Sequence, residues 1–251
     1  MRINGNCVHL FGRITMDKKK LWSAPLALIV VLTMALFFGG ITVSAEEIDF
    51  GNCGENATWS LDDNGTLTIS GTGAMYDYGW DYGRDPGWYY WKYYIKSIVI
   101  EEGITTIGED AFSGCNDLTA VTIPATVNKI GNYAFSNCSS LTSITIPASM
   151  TKIGDYAFQS CGLESITIPN SVTSLGQYAF SMCGSLETVT IGSGLTAIPS
   201  GAFSECSALT TVNFPNTIKT IGTSAFSYCT GLTGISIPNS TTTIGEYAFQ
   251  I

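Results

Sequence analysis

Residues 141–162 read LTSITIPASMTKIGDYAFQSCG, and this unit recurs along most of the chain. The dipeptide Ala-Phe returns at steps of 23 residues, with one step of 22. Its phenylalanines are Phe112, Phe135, Phe158, Phe180, Phe203, Phe226 and Phe249. A weaker unit opens the series at Ile95. Seven copies in phase indicate a repeat architecture.

Each part of the unit has a physical role. The pattern L-x-x-I-x-I at residues 141–146 predicts a short strand with its apolar side chains on one side. Pro147 ends this strand because proline has no N–H for a ladder, and Ile-Gly at 153–154 is expected to turn the chain. Ala157 and Phe158 enter the interior. Since one unit cannot bury its apolar face alone, stacked neighbours must share a continuous core.

The chain is therefore predicted to be a β-rich solenoid of about seven 23-residue coils with short parallel strands, over residues 95–251. Its convex side is expected to be irregular or made of 3₁₀ turns. Residues 46–94 are predicted to form a small β-rich, aromatic N-terminal cap module with a hairpin through Asp63-Asn64-Gly65. The last repeat stops inside the pattern, so we expect a truncated solenoid and a longer full-length protein.

Residues 1–45 are interpreted as a leader. Three lysines, an apolar core and the small residues Val43-Ser44-Ala45 predict a signal peptide over 16–45, cleaved before Glu46. The alternative is a retained membrane anchor, because the apolar stretch is close to the ~20 residues that span a bilayer. Met16 is the expected start of translation, with residues 1–15 resulting from a misassigned start. The protein is thus expected to be secreted or on the cell surface.

The body of the chain is acidic. From Glu46 onward it has 6 basic and 19 acidic residues, a net charge of −13. A nucleic-acid ligand requires clustered Lys and Arg, so no nucleic-acid partner is expected. An acidic, soluble extracellular protein fits this balance.

Catalytic residues are scarce. The single histidine, His9, lies in the leader, and Cys or Ser nucleophiles usually need a histidine base. Asp62-Asp63 and Glu101-Glu102 could serve glycoside hydrolysis, but their turn-like contexts favour solvated turn formers. We expect no enzyme, no cofactor and no metal site.

Six of the eight cysteines share one repeat position. In-register residues point their Cβ atoms in parallel, which disfavours disulfides, and a linear row cannot surround a tetrahedral zinc ion. A column of small buried thiols is therefore expected. These cysteines are Cys115, Cys138, Cys161, Cys183, Cys206 and Cys229.

Two surfaces are candidates for ligand binding. The outward strand positions form a carpet of hydroxyls that either binds a partner or reflects only β-propensity and solubility. Its candidate residues are Thr122, Thr145, Thr167, Thr190, Asn213 and Ser236.

Residues 76–94 contain ten Tyr or Trp in nineteen positions, which either contact a ligand or cap the first coil. The candidate contacts here are Trp80, Trp88, Tyr89 and Trp91, whereas the tyrosines before Ala-Phe are expected to pack along the convex side.

The unit resembles the repeat of the BspA-like leucine-rich repeat family, L-x-x-I-x-I-P-x-x-V-x-x-I-G-x-x-A-F-x-x-C, over about residues 95–251. Residues 53–75 look like the module that often precedes such repeats in secreted bacterial proteins. The resemblance implies a curved solenoid and a cell-surface role in adhesion, with no catalytic residues. Gly192-Ser193-Gly194 and Ile198-Pro199 depart from the pattern, so a local bend is expected there.

The function favoured by the sequence is a secreted or cell-surface, adhesin-like binding protein. Its expected partner is an extracellular or host protein or glycan, with membrane attachment only through the leader or a missing anchor, and a monomeric state. One alternative is a structural spacer that displays a missing C-terminal module. The other is a carbohydrate-active enzyme.

Overall fold

The computed structural model describes residues 45–251. The signal peptide and the start at Met16 predicted from the sequence lie outside the described residues. Within 45–251 no helix has the length and apolar character that a bilayer crossing requires.

Three antiparallel strands open the fold: β1 (Glu47–Asn52), β2 (Gly54–Asp62) and β3 (Thr66–Met75). The turn between β2 and β3 is the predicted hairpin. Asp62 Oδ1 accepts hydrogen bonds from the backbone N–H groups of Asn64 at 3.0 Å and Thr66 at 2.7 Å. Gly65 supplies the positive φ of 83° that this tight turn requires. Asp62 is therefore a turn former.

Two single-turn 3₁₀ helices follow at Trp80–Tyr82 and Tyr89–Trp91, and twelve short strands complete the fold. The strands are β4 (Ser97–Ile100), β5 (Ile104–Ile107), β6 (Ala120–Thr122), β7 (Lys129–Ile130), β8 (Lys152–Ile153), β9 (Ser165–Ile168), β10 (Ser174–Leu175), β11 (Thr188–Ile191), β12 (Ala197–Ile198), β13 (Thr211–Asn213), β14 (Thr220–Ile221) and β15 (Thr243–Ile244). On the side of the described coils that faces away from the strands, the chain forms successive turns. No 3₁₀ helix occurs there within the described coils.

The short strands build two parallel ladders along the solenoid. The first contains β4 and β6, then β9, β11 and β13, and comes from the predicted L-x-x-I-x-I segments. The second contains β5, β7, β8 and β10, then β12, β14 and β15. It comes from the Ile-Gly segments, which the sequence predicted as turns. Strand β3 pairs with both β4 and β5, so the N-terminal module continues directly into the solenoid.

The first ladder is interrupted at residues 141–146, where the predicted strand does not form. The loop at 161–163 lacks one residue, and Gly162 N–H meets the Cys138 carbonyl, three positions before Leu141. Glu164 N–H then meets Thr142 in the regular register, so the coil is back in phase within two residues. The segment 232–237 also forms no strand. The prediction of strands at 141–146 and 232–237 was therefore wrong.

The second ladder is interrupted at Pro199. In regular coils the glycine at this position donates its N–H to the isoleucine carbonyl of the preceding coil, as from Gly154 to Ile130 at 3.0 Å. Pro199 has no N–H to donate, and no ladder joins Leu175 to Ile198. The ladder therefore breaks at the Ile198-Pro199 segment, where the sequence predicted a local bend.

The core is a column of stacked phenylalanines, one per coil, which we call the phenylalanine column. From Phe112 to Phe226 its members are at most 2% exposed. Neighbouring ring centroids lie 5.2–5.5 Å apart. The backbone supports this spacing, because Phe158 N–H donates to Ala179 of the next coil at 2.8 Å. The predicted common core of stacked coils is confirmed.

All seven cysteines in the described residues are free and buried. From Cys138 to Cys229, each repeat thiol donates to a phenylalanine carbonyl of the preceding coil, as from Cys183 Sγ to Phe158 at 3.1 Å. Burial raises the pKa of Cys53 and Cys115 to about 12 and that of Cys229 to about 11. The predicted column of buried thiols is confirmed.

We expect the folded protein to resist thiol reagents. At pH 8 the thiols whose pKa is raised stay protonated and all seven are buried, whereas unfolded thiols with a pKa of about 8.5 are partly ionised and reactive. In the mature chain from Glu46 onward, Ellman's reagent should therefore label fewer than about one thiol per folded chain, and all seven in guanidinium chloride. Because these folded pKa values are raised, the thiols bind fewer protons in the unfolded state above about pH 8.5, so the free energy of unfolding should fall as pH rises. Fast labelling of the native protein would contradict this packing.

Candidate functional site

The hydroxyl positions of the first ladder face outward. Thr122, Thr145, Thr167, Asn213 and Ser236 are exposed, and Thr190 is half-buried. Thr167, Thr190 and Asn213 lie in register on adjacent strands, and Asn213 Nδ2 donates to Thr190 Oγ1 at 3.2 Å. Thr145 and Ser236 lie on segments that are not strands. We call these six residues the strand face.

Trp88, predicted as a surface contact, is 1% exposed, so that prediction was wrong. Its ring stacks on Phe112 at 5.6 Å and meets Trp59 edge-on at 5.5 Å. Its indole N–H donates to the Ala111 carbonyl at 2.8 Å. Trp88 therefore extends the phenylalanine column and covers its N-terminal end, because an open end would leave Phe112 in water.

The other aromatic candidates have different surroundings. Trp91 is half-buried and donates its indole N–H to Asp49 Oδ2 at 2.9 Å, which fixes it against β1. Tyr89 remains 39% exposed and lines a groove. Trp80 begins the first 3₁₀ helix. Of the candidates whose side chains are described, only Tyr89 is therefore well placed for a ligand.

The groove lies between the segment 76–94 and the turns of the first coils and has a volume of about 660 Å³. We call it the tyrosine groove. Its lining includes Tyr89, Tyr93, Tyr133, Asp85, Glu109 and Asp110. Residues far apart in the sequence meet here because Tyr78 N–H donates to the Glu109 carbonyl at 3.0 Å, which holds the segment against the first coil.

The groove is acidic, and hydrogen bonds from neighbouring side chains hold Glu109 in place. Glu109 Oε2 accepts hydrogen bonds from Tyr82 Oη at 3.3 Å and from Asn132 Nδ2 at 3.1 Å. The charge of Glu109 raises the pKa of Tyr82. Burial, and then the charge of Glu109, raises the pKa of Asp110. Lys92 Nζ lies 4.5 Å from the centre of the Tyr89 ring.

A second aromatic column runs along the turn side. Tyr133 stacks on Tyr156 at 4.8 Å, and Tyr156 on Tyr178 at 5.1 Å, with nearly parallel rings. All three have φ values of 54–56°, in the left-handed region that favours glycine. Gly201 takes the next position, where a Cβ would overlap the Tyr178 ring. The predicted packing role of these tyrosines is confirmed.

Residues 86–162 and 130–251 match the BspA type leucine rich repeat region, in six copies. The chain belongs to the BspA-type leucine-rich repeat family. Membership fits a repeat-based binding or surface role. The match begins at residue 86 and covers the solenoid predicted at 95–251, with six copies where the sequence predicts about seven coils.

Two solved structures of leucine-rich repeat proteins are similar to this BspA-type chain. The protein from Bacteroides ovatus ATCC 8483 is 25% identical with a TM-score of 0.65; the match covers 83% of this chain and 55% of that protein. The protein from T. pallidum is 26% identical with a TM-score of 0.55, and the match covers 69% of this chain and 86% of that one. This chain thus spans about half the length of the B. ovatus protein. No curated protein matches it in sequence.

The carboxylate pairs considered for hydrolysis do not line the tyrosine groove of this BspA-type chain. Asp62 serves the hairpin, and Glu101 and Glu102 are exposed beside β4. The carboxylates of the groove come from Asp81, Asp85, Glu109 and Asp110, none of which was predicted as a site residue from the sequence. Within residues 45–251 no cluster of three or more potential metal-ligating side chains occurs.

Proposed function

We propose that this protein is a secreted or cell-surface binding protein that recognises an extracellular or host protein or glycan through its solenoid, without catalysis and as a monomer. The observation that carries the proposal is the strand face, where polar side chains stand outward in register across β9, β11 and β13. Family membership and the leader predicted at 16–45 support a surface location.

The strand face suits an extended partner. Hydroxyl and amide groups repeat at the spacing of parallel strands, so each coil offers a similar weak polar contact. Many such contacts on a long ligand add up through avidity. The excess of acidic residues disfavours nucleic acid as this partner.

The proposal predicts saturable binding of the mature chain, from Glu46 onward, to immobilised extracellular-matrix proteins or glycans. The double variant Thr122→Glu with Thr167→Glu places two charges on the strand face and should weaken binding at least tenfold, about 1.4 kcal/mol. Thr196→Glu adds a charge at an exposed site off this face and is the matched control. Surface plasmon resonance across a broad panel measures both; no binding to any member, or equal losses in both variants, would contradict the proposal.

The absence of catalysis has its own test, because the tyrosine groove contains several carboxylates. Incubation of the mature chain with neutral oligosaccharides should leave them intact by mass spectrometry. Hydrolysis that disappears on replacing Asp110 with Asn would overturn the non-catalytic part of the proposal and leave the binding part standing.

A further inference from the structure

The tyrosine groove is separate from the strand face. It lies on the turn side of the first coils, under the segment 76–94, and shares no residue with the strand face. Its volume of about 660 Å³ falls within the roughly 300–1,000 Å³ of small-molecule sites. A ligand here would therefore use a different surface from the partner in the proposed function.

Three tyrosines give the groove exposed aromatic surface. Tyr93 is 61% exposed, Tyr89 39% and Tyr133 36%. Tyr133 is the first member of the turn-side aromatic column, with one face covered by Tyr156. The same position in the preceding coil is Asp110, so no described aromatic ring covers its other face. The stacking of rings in this column therefore begins at Tyr133.

The polar groups of the groove can bind hydroxyls. The carboxylates of Asp81, Asp85, Glu109 and Asp110 accept hydrogen bonds, and the amide of Asn137 both donates and accepts. Glu109 already has fixed donors in Tyr82 and Asn132, so its position is set before a ligand arrives. Pre-set polar groups beside an aromatic ring lower the cost of ordering the site.

We propose that the tyrosine groove binds neutral pyranose units of a glycan. A pyranose offers an apolar C–H face to Tyr133 and a rim of hydroxyls to the carboxylates. Four carboxylates against the single charge of Lys92 oppose sulfated or sialylated sugars. Lys92 Nζ already lies 4.5 Å from the ring of Tyr89 and 5.2 Å from that of Tyr93. The positive charge of Lys92 would repel a cationic peptide at the rings of Tyr89 and Tyr93. A neutral sugar avoids this repulsion and therefore fits the groove better.

The test is calorimetric titration of the mature chain with cellotetraose and with chitotetraose. Tyr133→Ala and Tyr93→Ala should each weaken the affinity for the bound sugar about tenfold, because each removes a ring from the groove. Tyr247→Ala is the matched control for Tyr133, with the same repeat position, a positive φ of 58° and 62% exposure in the last coil. Tyr90→Ala, at a site 92% exposed outside the groove lining, is the control for Tyr93.

Binding that persists in the strand-face double variant and falls in both groove variants supports the proposal, whatever the strand face binds. Failure of both sugars to bind overturns it, as does an equal loss in Tyr247→Ala. Saturable binding of an oligolysine peptide when neither sugar binds, abolished by salt and by Asp81→Asn with Asp85→Asn, would assign the groove to a cationic ligand instead.

Discussion

Replacing Phe158 with alanine should lower the free energy of unfolding by roughly 3–5 kcal/mol. The ring is fully buried, with the ring centroids of Phe135 and Phe180 at 5.3 and 5.2 Å. These neighbours belong to other coils and are held there by inter-coil backbone hydrogen bonds. They cannot move to fill the space, so the variant combines lost burial with an open cavity.

Urea denaturation followed by circular dichroism measures this loss. Phe50→Ala is the control, because Phe50 is 71% exposed on β1 and its truncation removes no core contact of the phenylalanine column. We expect this control to stay within about 0.5 kcal/mol of the parent protein. Equal stability of the two variants would show that Phe158 does not occupy a packed core.

Replacing Gly154 with alanine should destabilise the solenoid by about 1–3 kcal/mol, although it adds only one methyl group. A Cβ at this position would lie 2.6 Å from Asn132 N of the preceding coil. This neighbour is backbone and cannot rotate away. The overlap between the added Cβ and Asn132 N can be relieved only if the two coils separate. That separation strains the hydrogen bond from Gly154 N–H to the Ile130 carbonyl.

Gly234→Ala is the matched control for Gly154→Ala. A Cβ on Gly234 meets no atom within 4 Å, and its φ is not positive. Alanine there should be neutral or stabilise by about 0.4–1 kcal/mol, since it restricts the unfolded chain. Thermal and urea unfolding measures the change in the free energy of unfolding for each variant. A Gly154→Ala variant as stable as the parent protein would contradict the close approach of the two coils.

The features that repeat could be predicted from the sequence. Phe158 and Cys183 belong to series with a fixed period, and a fixed period places equivalent residues one above another in a stack. The hairpin at 63–65 could be predicted for a local reason, because the turn residues themselves favour it. In both cases the physical cause lies within one unit or one turn.

What the sequence left undetermined depends on contacts between distant segments. The second ladder consists mostly of two-residue strands, too short for an alternating pattern to reveal them. Composition marked residues 76–94 as aromatic, but packing on Phe112 decided that Trp88 is buried while Tyr93 is exposed. The tyrosine groove needs Tyr93 and Tyr133 together, and they meet only after the segment folds back on the first coils.

The stacking of the coils is tested most directly by nuclear Overhauser effects between phenylalanine rings, in protein labelled selectively at phenylalanine. We predict cross-peaks from Phe158 to Phe135 and to Phe180, whose ring centroids lie 5.3 and 5.2 Å away, and none between Phe135 and Phe180, which are two coils apart. Rings of Phe135, Phe158 and Phe180 that show no mutual cross-peaks and contact water would contradict the account.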